Sequence, residues 1–188
     1  MTKNISLIIA IGPKNVIGIG DQLIWHSKKD LQHFKCTTEN HPCIFGSKTF
    51  YGLPFYPLKN RLNIVLDNTQ KEEIIADNRG WVTCNSFECA LLFCENYDEI
   101  YICGGKSIYE YALKYGFVNK VFLTRVYANW INEMMELSDQ PFVYFNIDEY
   151  IKEWNKQVLT QDTEIDSLGQ KIDLSFEVYT KQSKLSSK

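Results

Sequence analysis

The sequence predicts an α/β fold built on a twisted, largely parallel sheet with flanking helices and a C-terminal antiparallel hairpin. Three observations predict it. The apolar run Ile5–Ile11 is continuous, as a strand buried on both faces must be. Short β-branched runs then alternate with helical patterns, the order of strand–helix–strand units whose crossovers place helices against a sheet. Near the C-terminus, Trp154–Gln161 and Asp173–Thr180 are extended runs joined by a polar, glycine-containing stretch, which is a hairpin on one sheet edge.

Each element has a local cause. Gly12-Pro13 ends the first strand, and a long loop containing Gly18 and Gly20 follows as far as Trp25. Ser27 stands where it caps a helix through Leu31, Phe34 and Cys36, ahead of Pro42. Cys43-Ile44-Phe45 is a short strand ending at Gly46, and Ser47-Lys48-Thr49 opens a helical turn closed by Pro54. Asn63–Leu66 is a strand punctuated by Asp67-Asn68, and Trp81-Val82-Thr83 is another. Ser86 caps a helix with Phe87, Ala90, Leu91 and Cys94 on one face. Glu99–Cys103 runs as a strand into Gly104-Gly105. Ile108, Tyr109, Ala112 and Leu113 then mark a helix stopped by Gly116, and Lys120–Tyr127 is the next strand. Residues 128–153, rich in Glu and Asp, read as an acidic, partly helical surface segment, and Gln182–Lys188 as a frayed, flexible tail. No internal repeat divides the chain, so residues 1–181 read as one domain.

Composition narrows the function. The 188 residues are 45% hydrophobic, enough to form a core without metal or disulfide staples. Twenty basic residues stand against 23 acidic ones, net −3. That balance argues against nucleic acid or anionic membrane as a partner, since both need a basic face. No apolar run reaches the roughly 20 residues of a membrane span. The N-terminal run lacks a small-x-small cleavage site, so it reads as a strand in a cytoplasmic protein. Six cysteines without a C-x-x-C pair read as reduced core residues, and three histidines without ligand spacing predict no metal.

Four features bear on chemistry. Gly104-Gly105 lies between a strand and a helix, where backbone approaches a ligand closely and helix N–H groups favour phosphate. Gly46-Ser47-Lys48-Thr49 repeats that arrangement with a lysine added. Neither completes a dinucleotide-binding or Walker fingerprint, and each alone reads more readily as an ordinary turn. Asp30 doubles as a capping acid, yet its neighbours Trp25, Leu31 and Phe34 are apolar, a costly setting for a carboxylate. The loop Gly18–Trp25 reads as a plain surface loop or as a lid over a pocket.

Taken in order, these pieces resemble the dihydrofolate reductase family. The resemblance is carried by Ile5–Ile8, Val16-Ile17-Gly18, Leu23, Trp25, Asp30-Leu31 and Phe34-Lys35. Pro42, Gly46, Thr49, Pro57-Leu58 and Arg61–Leu66 continue it, then Cys103–Tyr109 and Leu123-Thr124-Arg125. It implies a mostly parallel sheet of about eight strands with flanking helices. It also implies NADPH-dependent reduction of 7,8-dihydrofolate to tetrahydrofolate, a step of one-carbon metabolism targeted by antifolates.

By the same resemblance Asp30 pairs with the pterin, Thr124 orients Asp30, and Leu23 gates a proton-delivering water. Arg61 clamps the substrate's glutamate tail, while Ile8, Leu31, Phe34, Leu53 and Cys103 line the slot. Ala10, Ile17 and Gly18 meet the nicotinamide. Gly46, Ser47, Lys48, Thr49, Leu66, Asp67 and Asn68 hold the adenosine end, and Cys103, Gly104, Gly105, Lys106, Ser107, Ile108 and Tyr109 the pyrophosphate. A cis peptide is implied between Gly104 and Gly105. The implied partners are dihydrofolate and antifolate-type small molecules, and the implied state a monomer unless the chain belongs to a longer bifunctional one.

The chain departs from the family pattern in places. Ile24 and Lys28 replace prolines, which predicts a looser lid; residues 128–143 are an insertion; and Asp67 opposes a 2′-phosphate, leaving NADPH preference to Lys48. Two other readings stand beside the main one. The pyrimidine reductase of riboflavin synthesis shares the fold but needs neither Asp30 nor Arg61. A folate-binding protein without turnover would retain both.

Overall fold

The structure, a computed structural model, describes residues 3–20, 22–167 and 169–182. Asp21 of the lid loop and residues 183–188 of the expected tail lie outside the described residues. The chain runs β1 (Asn4–Ile11), β2 (Val16–Ile19), α1 (Lys28–Thr38), β3 (Pro42–Gly46), α2 (Ser47–Tyr51), β4 (Leu62–Leu66), β5 (Ile74–Asp77) and β6 (Trp81–Cys84). It continues through α3 (Phe87–Phe93), β7 (Glu99–Ile102), α4 (Lys106–Lys114), β8 (Lys120–Tyr127) and α5 (Asn129–Leu137). Then come β9 (Phe142–Tyr144), α6 (Asp148–Ile151), β10 (Asn155–Ile165) and β11 (Lys171–Thr180).

The main sheet has the order β10-β11-β8-β1-β7-β3-β4-β6-β5. From β8 to β6 the pairs are parallel, while β8–β11, β10–β11 and β5–β6 are antiparallel. The hairpin expected on one edge is β10–β11. Strand alternation divides the core. Leu7, Ile9, Ile44, Ile64, Ile102 and Leu123 point to the face covered by α3 and α4, through Phe87, Ala90, Ile108 and Ala112. Ile8, Phe45, Val65, Tyr101 and Cys103 point to the other face, where Phe34 of α1 and Phe50 of α2 pack. A buried ion network anchors the hairpin: Glu177 accepts from Arg125 Nε at 3.2 Å, Lys156 Nζ at 2.8 Å and Tyr179 Oη at 2.9 Å. Arg125 also pairs with Asp148 of α6.

Three features differ from expectation. The main sheet has nine strands, the extra one being β5. Its residues Ile74, Ile75 and Ala76 are exposed, so no burial pattern marks it and only backbone pairing with β6 makes it a strand. The lid loop begins as β2, which pairs with β9 in a separate two-stranded sheet. Gly20 N donates to Pro141 O at 3.2 Å and Phe145 N to Asn15 O at 2.8 Å, extending that attachment. Ile24 and Trp25 are buried with Val16 and Leu174, so the replacement of proline by Ile24 anchors this end of the lid through side-chain burial. The segment read as acidic surface carries α5, whose Ile131 is fully buried and whose Trp130, Met134 and Met135 pack on the same cluster. Glu133 and Glu136 occupy its other side, and their charges mask the i, i+3, i+4 apolar spacing.

No helix among the described residues is long and apolar enough to cross a membrane. All six cysteines are free.

Candidate active site

Asp30 enters the site from the first turn of α1. Its backbone N–H donates to the Ser27 side chain at 2.9 Å, so Ser27 caps the helix and the Asp30 carboxylate is released from that duty. The carboxylate instead turns inward, and the residue is only 9% exposed. Burial pushes its pKa up from 3.8 to about 6; a hydrogen bond from the Thr124 hydroxyl opposes the rise, and nearby Glu164 adds to it. Thr124 is itself buried, on β8 beside Ala10 of β1. Asp30 is therefore a desolvated carboxylate with one side-chain donor, and it holds a proton far more readily than an exposed one.

The cleft's walls come from three elements. Ile8 and Cys103 are buried on the sheet, with Phe34, Leu53 and Leu58 partly buried against the same cluster. Arg61 rests at the far end: its guanidinium donates to Thr38 Oγ1 at 3.1 Å and to Lys59 O at 3.1 Å, and lies 5.8 Å from the Phe34 ring centre. Asp30 and Thr38 are two turns apart on α1, a separation of about 12 Å along the axis. An acid and a guanidinium thus stand at the two ends of the α1 face that carries Phe34. Leu23 and Leu31 are 47% and 54% exposed, which places them outside the packed wall. Two surface hollows of about 530 and 540 Å³ flank β10, and neither includes Asp30 or the paired glycines.

The two strand-to-helix turns meet because β3 and β7 are parallel neighbours. Gly46 N donates to Gly104 O at 2.6 Å, and the Gly104–Gly105 peptide is cis, as the resemblance implies. No side chain caps α4, so its first amides face outward beside these glycines. The cradle leaves no room for a side chain: a Cβ on Gly105 would stand 2.7 Å from Thr49 Oγ1, and one on Gly46 3.0 Å from Ile108 Cδ1. Ile108 is buried; Ser47 is half-buried; Lys48, Lys106 and Ser107 are exposed. Tyr109 donates to Ile8 O at 2.8 Å and so ties α4 to β1.

At the end of β4, Leu66 pairs with Gly46, and Asn68 is exposed. Asp67 accepts from Thr69 N at 3.0 Å and Thr69 Oγ1 at 2.6 Å, bonds that hold its carboxyl below the usual range and keep it ionised. On the lid, Ile17 is half-buried and Gly18 buried, where a Cβ would meet Gln22 O at 2.5 Å. Among the described residues no group of three or more His, Cys, Asp or Glu side chains is gathered as a metal requires.

Sequence reasoning missed Leu58 as a wall residue and Glu164 as a neighbour of Asp30. Glu164 lies 135 positions from Lys29, whose backbone it contacts, and no local pattern spans that distance.

Comparison with known proteins bears on this geometry. The chain matches the dihydrofolate reductase family model over residues 4–181. It is 35% identical over 130 residues to a type 9 dihydrofolate reductase of Escherichia coli, covering 67% of this chain and 72% of that one. It is 36% identical over 121 residues to a dihydrofolate reductase of Haemophilus influenzae, covering 64% and 71%. A dihydrofolate reductase from Enterococcus faecalis, solved with NADP(H) and RAB-propyl, has the same fold, with a TM-score of 0.73 at 21% identity over 97% of this chain and 99% of that one.

Proposed function

The chain belongs to the dihydrofolate reductase family, and from that premise we propose that it reduces 7,8-dihydrofolate to 5,6,7,8-tetrahydrofolate with NADPH. The observation that carries the reading is the Asp30 carboxylate, buried at the start of α1 and hydrogen-bonded to Thr124.

Asp30 presents two oxygens to a flat heterocycle, a bidentate match for the pterin's 2-amino group and adjacent ring nitrogen. Its buried negative charge raises the proton affinity of the ring and so favours protonation at N5, which a water passing the half-exposed Leu23 delivers. Thr124 fixes the carboxylate's orientation. Arg61 takes the glutamate tail, for which its planar fork suits. Ile8, Phe34, Leu53 and Cys103 would hold the ring flat against its reductant.

NADPH supplies the hydride that reaches C6 of the substrate. The residues present fit it: the glycine cradle that any Cβ would fill, beside the uncapped start of α4, receives a pyrophosphate on backbone N–H groups. Ser47, Lys48 and Thr49 take the adenosine end, where Lys48 offers the cation and Asp67 opposes a 2′-phosphate. Ala10, Ile17 and Gly18 border the nicotinamide. We read residues 4–181 as one catalytic domain with 128–143 as an addition, acting as a monomer, in a cytoplasmic setting that agrees with free cysteines.

The test is NADPH oxidation by the purified chain with dihydrofolate added. Turnover supports the reading. Tight substrate binding without oxidation makes it a folate-binding protein, and neither binding nor oxidation leaves the pyrimidine reductase of the same fold.

A further inference from the structure

Strand β10 is exposed along nearly its whole length, and Glu164 is the one half-buried residue in it. Its Oε2 accepts from the backbone N–H of Lys29 at 3.4 Å. Its Oε1 is buried and has no hydrogen-bond partner among the described residues. The residue after Lys29 is Asp30, so the hairpin sets a second carboxylate over the helix turn that carries the first.

The field of that carboxylate is poorly neutralised. The ammonium of Lys29, whose backbone N–H Glu164 binds, is held by Asp162 and by Thr163 O at 3.0 Å. The other groups around Asp30 are neutral, committed elsewhere or turned to solvent. Thr124 offers a hydroxyl from β8. The Tyr109 hydroxyl on α4 stays protonated, because burial raises its pKa. His33, one turn along α1, packs against Phe176 with ring centres 4.7 Å apart and planes tilted by 52°, and burial lowers its pKa. Arg125, next to Thr124, is committed to Asp148 and Glu177, and Lys28 is exposed to solvent. A carboxylate charge so placed disfavours ionisation of Asp30.

We propose that Glu164 is a positioning residue of the active site: from the hairpin it sets the charge that Asp30 presents to the substrate, and with it the pH range of the reaction. The inference rests on the reading of the chain as a dihydrofolate reductase. It assigns to the peripheral hairpin a part in proton supply.

The test compares wild type, Glu164→Gln and Glu164→Asp. Glutamine keeps the oxygen that accepts from Lys29 N–H and removes only the charge. Carboxyl ¹³C signals of aspartate-labelled protein, with Asp30 identified by its loss in Asp30→Asn, give the Asp30 midpoint without substrate. The expected result is a fall of at least about 0.5 pH unit in Glu164→Gln and a midpoint near wild type in Glu164→Asp. Loss of that charge also lowers the proton affinity of the bound ring, so the alkaline limb of the turnover profile moves the same way and activity at high pH relative to low pH drops about threefold. An unmoved midpoint in Glu164→Gln overturns the proposal, as does a loss of activity equal at every pH, which marks a purely structural strap. A wild-type chain that does not turn over dihydrofolate refutes the functional reading instead, and the carboxyl titration still decides whether Glu164 acts on Asp30.

Discussion

Replacing Asp30 by asparagine stabilises the folded chain at neutral pH while removing its activity. The free carboxylate in an unfolded chain titrates near 3.8, and in the fold its pKa is pushed up to about 6. Between those values the native state binds more protons than the unfolded one, so stability falls as pH rises through the window. A rise of that size corresponds to about 3 kcal/mol of destabilisation at pH above both values. Asparagine never ionises and escapes this penalty, though its amide needs partners of its own. A net gain of about 2 kcal/mol is the expected magnitude, or about 4–8 °C in Tm for a chain of this size. Urea unfolding of both proteins across mildly acidic to neutral pH measures it. The gain is largest above pH about 6 and vanishes near pH about 4, where wild-type Asp30 is neutral. A difference that does not vary with pH, or a variant less stable than wild type at neutral pH, refutes the view that Asp30 is a strained, desolvated carboxylate. Turnover should fall about 10²–10⁴-fold at neutral pH and recover partly in acid, where the substrate arrives already protonated.

Other variants probe the remaining parts of the cleft. Arg61→Leu raises KM for dihydrofolate about tenfold or more with little change in kcat, since the clamp is far from the reacting carbons; steady-state kinetics separate the two. Thr124→Val removes the donor that opposes the rise at Asp30, so the Asp30 midpoint moves up by roughly 0.5–1 pH unit in a carboxyl titration, equivalent to one hydrogen bond of about 1 kcal/mol. Gly105→Ala forces a methyl to within 2.7 Å of Thr49 Oγ1; it should weaken NADPH binding, measured by fluorescence titration, and cost about 1–3 kcal/mol of stability. Gly18→Ala pushes a Cβ against Gln22 O at 2.5 Å; the lid turn then opens, and amide hydrogen exchange at Ile19 and Gln22 should rise.

What was legible in the sequence was what local chemistry marks. Ser27 announces the start of α1, Gly46 and Gly104-Gly105 mark the strand-to-helix turns, and Ile5–Ile11 reads as a central strand because both its faces are buried. Elements made by pairing alone were not legible. β5 shows an exposed pattern, β9 is three residues long, and β2 hides in a glycine-rich loop. For α5, glutamates drew attention away from an apolar stripe that is plain once Ile131 is seen buried. Asp30 shows the limit at the site itself. Its apolar neighbours hinted at burial, yet Leu31 is largely exposed, and the desolvation comes with the distant β8 and β10 packed around the helix turn. The roles of Arg61 and the cofactor-binding turns came from the resemblance, because no spacing rule links α1 to residues so far along the chain.

The proposed reaction requires an ionised Asp30 to grip a flat nitrogen heterocycle by its amino edge. A 2,4-diaminopyrimidine titrated into the protein at mildly alkaline pH tests it directly, because the ultraviolet spectrum of the bound ligand reports its protonation. A protonated ligand is expected on the wild-type chain and a neutral, weakly held one on Asp30→Asn. A ligand bound in the same protonation state and with the same affinity by both proteins would contradict it.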